Sequence, residues 1–122
     1  MSYQVAGPFL GYSLTFQNNL KLYHFQTKSY GHHKASDWLH GQWILLVDKL
    51  FEVFQGKHDR LPPLKLDLPL QTLDESQMVE HTDNMVKYVD HFGARFAEPD
   101  ILVILDDMLS ALAQFKYLLS FQ

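Results

Sequence analysis

The sequence predicts an all-α protein, a four-helix bundle with a long crossover between its second and third helices. Three observations carry that prediction. Apolar residues recur at spacings of three, four and seven in four separate stretches, as helices with one buried face require. Proline, glycine and capping residues punctuate those stretches where helices start and stop. Residues 57–71 carry Pro62, Pro63 and Pro69 and have no helical period, so they read as an extended link.

Taken in order, residues 1–7 read as a loosely held lead, and Pro8 suits a first helical turn, where its missing N–H is not needed. The first helix follows, with Phe9, Phe16, Leu20 and Tyr23 or His24 on one face. Gly31 breaks the run, and His32 reads as a turn residue. A second helix is expected from about His33 to Gln55, stopped by Gly56, with an inner stripe of Leu39, Trp43, Leu46, Leu50 and Val53 or Phe54. In the link, Leu64, Leu66, Leu68 and Leu70 alternate with Lys65, Asp67 and Pro69, which is strand-like, yet no other stretch offers a strand to pair with it. A crossover strap with its leucines on the bundle or on a neighbour is the expectation. Its length favours one long connection over an up-down-up-down bundle. Thr72 and Glu75 read as a capping box for a third helix to about Arg95, with Met78, Thr82, Met85, Val89, Phe92 and Phe96 inward. Pro99 and Asp100 open a fourth, carrying Leu105, Met108, Leu112, Phe115 and Leu119.

Composition narrows the function classes. A length of 122 residues fits a single domain over 1–122. Without cysteine there is no disulfide, thiolate nucleophile or iron–sulfur ligand. No apolar run reaches the ~18–20 residues of a membrane span, and the first residues lack a signal peptide's order. A net charge of −4 with scattered Lys and Arg disfavours direct nucleic-acid binding. The expected setting is the cytoplasm, or a particle assembled inside a cell. No serine has a base-and-orienter constellation around it, and no phosphate-cradling glycine loop is present.

Chemistry concentrates in residues 24–52. His24 and His33 flank the break, and Asp48 and Glu52 lie four residues apart further down the second helix. Two imidazoles and two carboxylates are a metal-ligand inventory. At ~1.5 Å per residue, Asp48 is roughly 22 Å along the helix from His33, so no ion bound at ~2 Å touches both within one chain. One site made of all four requires a second subunit, antiparallel to the first, and a two-fold axis then makes two identical sites. The alternatives are a hydrogen-bonded structural His24, and an Asp48 paired with Lys49 or Lys21 beside a solvated Glu52. A lesser set, His33, Asp37 and His40, shares one helical face within a single chain; Asp37 there equally suits the helix N-terminus.

His24-Phe25-Gln26 resembles the His-Trp-Asn that ends the first helix of Dps-type mini-ferritins, and the spacing from His33 to Asp48 to Glu52 is similar to the rest of that family's ferroxidase pattern. It departs in a shorter turn between the histidines and in Val53-Phe54-Gln55. Residues 24–30, 33–35, 48–52, Gln55-Gly56 and 117–119 resemble small ferritin-like proteins of phages and large DNA viruses over most of the chain. The resemblance implies a ferritin-like bundle and a homo-oligomer, at least a dimer. It implies iron, or zinc or another divalent metal, held by His24 and His33 of one subunit and Asp48 and Glu52 of its mate, with Fe(II) oxidation as the activity. Helices three and four lack the Glu-x-x-His of in-bundle di-iron centres. The alternative is a non-enzymatic interaction or virion structural protein on the same scaffold. The 9 Phe, 6 Tyr and 2 Trp support it, with Tyr12, Tyr30 and Trp38 as candidate contacts to virion partner proteins.

Overall fold

The computed structural model describes residues 3–121. Four helices account for most of them: α1 (Tyr3–Gln26), α2 (Tyr30–His58), α3 (Glu75–Arg95) and α4 (Pro99–Leu119). No strand occurs among the described residues. The all-α four-helix expectation holds, and so does the long connection, residues 59–74, between α2 and α3.

Side-chain contacts give the directions. Phe9 stacks on Phe92 and Tyr12 on Tyr88, so α1 and α3 run antiparallel. Lys57 pairs with Asp100 near one end of α2 and α4, and His32 meets Phe121 near the other, so these two are antiparallel as well. Each helix packs on two neighbours, α1 on α2 and α3, and α4 on α2 and α3. The diagonal pair α2 and α3 therefore points the same way, which only a connection spanning the bundle's length permits. That connection follows α1: Leu61 N–H donates to Gln55 Oε1 at its start and Gln71 N–H to Asn19 Oδ1 near its end, both at 2.9 Å.

The core is the set of stripes read from the sequence, with additions. Phe9, Phe16, Leu20, Tyr23 and His24 are buried, as are all six residues of the α3 stripe and all five of the α4 stripe. On α2, Leu39, Trp43, Leu50 and Phe54 are buried while Leu46 and Val53 flank the core; Ala35, Val47 and Phe51 join it. Trp43 is fully enclosed, edge-on to Phe16 with ring centroids 5.0 Å apart, and its Nε1–H donates to Ser13 O at 3.1 Å. Truncating it to Ala would cost about 3–5 kcal/mol.

Several boundaries differ from the sequence reading, each for a local reason. α1 begins at Tyr3, so Pro8 lies inside it at the cost of one backbone hydrogen bond; Ala6 and Gly7 are buried, and that packing holds residues 3–7 in the helix. Met1 and Ser2 of the expected lead lie outside the described residues. α2 starts at Tyr30 because Ser29 caps it, accepting from His32 N–H, so Gly31 falls in the first turn and breaks nothing. Gly56 does not stop α2, which runs to His58 and turns at Asp59 with φ 93° and ψ 159°. The capping box of α3 is Asp74 with Gln77, two residues on from Thr72 and Glu75.

Candidate functional site

The link between α1 and α2 is only residues 27–29, held by Thr27 Oγ1 accepting from Ser29 N–H at 3.2 Å and Ser29 O accepting from His33 N–H at 2.9 Å. So tight a link sets the end of α1 beside the start of α2. Two residue pairs, each nine apart, meet there.

His24 and His33 form the first pair. Their rings stack with centroids 3.9 Å apart and planes 17° from parallel. His24 Nδ1 donates to His33 O, and His33 Nδ1 donates to His24 O, both at 2.8 Å. A carbonyl can only accept, so each Nδ1 carries the proton, and in the neutral ring each Nε2 keeps its lone pair. Neither Nε2 has a hydrogen-bond partner among the described residues, and neither is a buried orphan. An imidazole whose Nδ1–H is fixed by a carbonyl is oriented as metal-ligating histidines are. The predicted histidines are thus brought together, with their free nitrogens uncommitted.

Tyr23 and His32 form the second pair, on the neighbouring face. His32 is 1% exposed. Its Nε2 donates to Phe121 O, and its Nδ1 accepts from the Tyr23 hydroxyl at 2.9 Å. Burial pushes the Tyr23 hydroxyl above its usual pKa, with Thr27 opposing and Glu75 and Asp74 adding to the rise. His32 is therefore no turn residue; it ties α1, α2 and the segment after α4 together. The sequence signal for it was the nine-residue spacing to Tyr23, identical to that between His24 and His33.

Asp48 and Glu52 are exposed on α2, and neither forms an ion pair among the described residues. Lys21, a considered partner for Asp48, instead approaches Asp37 at 3.9 Å, where exposure leaves it little energetic weight. The lesser set is not grouped to hold an ion: no three His, Asp or Glu among the described residues are. Burial, then the Lys21 charge, lowers the pKa of the half-buried His40. Of the four predicted ligands, one chain therefore brings together His24 and His33 and leaves Asp48 and Glu52 apart from them.

A further polar cluster closes the opposite end of the bundle and was not read from the sequence. His58 is flanked by Phe54 and Phe96, with ring centroids 4.8 and 5.3 Å away. Its Nε2 is 2.7 Å from Glu98 Oε1, an ion-pair distance without hydrogen-bond alignment. Beside it Lys57 reaches Asp100 at 3.1 Å and holds that carboxyl below its usual range. Forty positions separate His58 from Glu98 in the chain, so no local pattern announces the pair.

Residues 24–119 match the model of the family of unknown function DUF5856, and the chain belongs to that family. It is also 31% identical over 120 residues, 96% of this chain and 89% of the other, to an uncharacterized 14.6 kDa protein of the mobD-ri intergenic region of Enterobacteria phage T4. No solved structure matches. The virus-side resemblance is met by a phage relative; a ferritin-like family is not among the matches. No described helix is long and apolar enough to cross a membrane.

Proposed function

We propose that this member of the DUF5856 family binds a divalent transition metal, iron foremost, at a site shared between two subunits related by a two-fold axis. The observation that carries the reading is the stacked His24–His33 pair, with both Nδ1 protons fixed by backbone carbonyls and both Nε2 atoms uncommitted. Mixed imidazole and carboxylate ligation suits Fe(II), with zinc the competitor.

The shape of α2 supports a mate that supplies the carboxylates. At ~100° per residue, His33, Gly41, Leu45, Asp48 and Glu52 fall within one stripe of about 120°. The midpoint between His33 and the Asp48–Glu52 pair falls at Gly41 and Gln42, both exposed. A methyl placed on Gly41 would meet no atom within 4 Å, and Leu45 is 66% exposed. An antiparallel α2 centred there sets each histidine end against the partner's acidic end, with a small residue at the axis to let the helices approach. Such a site oxidises Fe(II) when dioxygen or peroxide reaches an open position; that activity is part of the proposal.

Elemental analysis of protein purified without added metal or chelator, repeated after anaerobic Fe(II) loading and paired with light scattering, tests it. About two metal sites per dimer, both lost in Glu52→Ala, is the expected result. No uptake by a stable wild-type oligomer sinks the metal reading. It would leave the second reading, an interaction or virion component, which the exposed Tyr30, Phe25 and Tyr117 favour.

A further inference from the structure

The crossover between α2 and α3 is an extended segment with open backbone and a self-complementary sequence. Leu64 lies against Gly7 and Leu66 against Gly11, where a methyl would sit 3.7 and 3.9 Å from the leucine side chains. Two crossover residues therefore span four helical ones, ~6 Å, or ~3 Å each, close to the ~3.3 Å of an extended strand. Among the described residues, the backbone of residues 64–67 forms no hydrogen bond, and that of Leu68 forms one, its O accepting from Leu70 N–H at 2.9 Å. Leu64, Leu66 and Leu70 are 41%, 37% and 49% exposed, and Lys65 and Asp67 are exposed as well. Unpaired extended backbone of this kind is a template for another strand.

The sequence says which strand. Reading outward from Leu66, the flanking residues are Lys65 and Asp67, then Leu64 and Leu68, then Pro63 and Pro69. Laid antiparallel on itself about Leu66, this segment sets lysine against aspartate twice and leucine against leucine twice. Opposite charges directly across an antiparallel ladder stabilise it, and like charges oppose it. The prolines choose the register. With Leu66 opposite its equivalent as a hydrogen-bonded pair, Leu64 and Leu68 are also hydrogen-bonded pairs, about six bonds in all, two of which use the second lone pair of Leu68 O beside Leu70 N–H. Pro63 and Pro69 then occupy non-hydrogen-bonded positions, where their missing N–H groups cost nothing, and beyond them the ladder stops.

We infer that residues 64–68 pair with the same residues of a second copy of this chain, forming a short antiparallel ladder between subunits. The ladder caps the open leucine face and gives the strand its absent partner. It does not depend on the metal reading. Leu66 lies beside Gly11, and Trp43 bonds to Ser13, so the ladder's centre and the centre of the proposed α2 contact differ by only about 5 Å in height along the bundle. A single two-fold axis perpendicular to the bundle would require such agreement.

Sedimentation equilibrium of the full chain tests the inference with Lys65→Glu and Asp67→Lys, two surface changes outside the core, with helicity checked by circular dichroism. Each variant alone sets like charges across the ladder and raises the dimer dissociation constant about tenfold. An equimolar mixture of the two restores opposite charges at both positions and returns the wild-type mass. Amide exchange supplies a second readout: Leu64, Leu66 and Leu68 are protected in the wild type, while Lys65 and Asp67 exchange freely. A monomeric wild type, a dimer indifferent to both variants, or a mixture no tighter than its components overturns the inference. Glu52→Ala leaves these masses unchanged if only the metal reading fails, so the two ideas fall separately.

Discussion

Tyr23–His32 and His24–His33 are neighbouring pairs with the same nine-residue separation, on the same two helices, and the bundle uses them in opposite ways. His32 points inward and commits both ring nitrogens, one to the Tyr23 hydroxyl and one to Phe121 O. His33 lies about 100° further round α2, commits only Nδ1, and leaves Nε2 to the surface. A buried polar group must be fully satisfied within the chain, whereas a surface ring can keep a lone pair in reserve. The contrast separates a histidine that commits both nitrogens to the fold from one that leaves its second nitrogen free, and it does so by rotation on the helix, since residue type and spacing are identical.

Substitutions at the two positions sharpen that contrast. His32→Ala is expected to have the largest effect on stability, a loss of about 2–4 kcal/mol in urea denaturation, because it opens a cavity and strands the buried Tyr23 hydroxyl. A loss below ~1 kcal/mol would show that His32 is not the tie described. His33→Ala removes one exposed-side hydrogen bond and a stacked ring and is expected to cost only about 1 kcal/mol. On the proposed metal reading that variant fails in isothermal titration with divalent metal, and unchanged binding would break the comparison. Glu52→Ala, exposed and unpaired, stays within about 0.5 kcal/mol of wild type.

Smaller effects come from positions outside both pairs. Asp59 has φ 93° and ψ 159°, a region essentially reserved for glycine and costing others about 1–3 kcal/mol. Asp59→Gly is expected to raise stability by about 1 kcal/mol, after the entropy that glycine adds to the unfolded chain, and to leave metal binding alone; thermal denaturation reads it. The smallest expectation concerns pH. The fold lowers the pKa of His40 through burial and Lys21, so the unfolded chain binds the extra proton first. The His40 contribution is therefore whole above its ordinary value of 6.5 and is lost as pH falls below it. Denaturation midpoints across that range should slope less in His40→Gln.

Much of the architecture was legible because it rests on local periodicity. The stripe of α3 was read in full, and that of α4 all but Ile101, Ile104 and Ala111, since each apolar residue reports its own face. Boundaries were read less well: Gly31 and Gly56 look like stops in the chain, but Ser29 and Asp59 set the ends of α2, and a cap depends on backbone geometry that composition does not specify. Among site residues, spacing identified His24, His33, Asp48 and Glu52 as an inventory and showed that one chain cannot unite them.

The order of residues by itself determined the four helices, the length of the crossover and the separation of the two acids from the two histidines, because each follows from rise and period along one segment. Tertiary structure decided the rest. It stacked His24 on His33, turned His32 inward, set His58 against Glu98 forty residues away, and laid Leu64 and Leu66 on Gly7 and Gly11. Each is a contact between different elements, fixed by how helices rotate and pack against one another, and a one-dimensional pattern carries no record of that rotation.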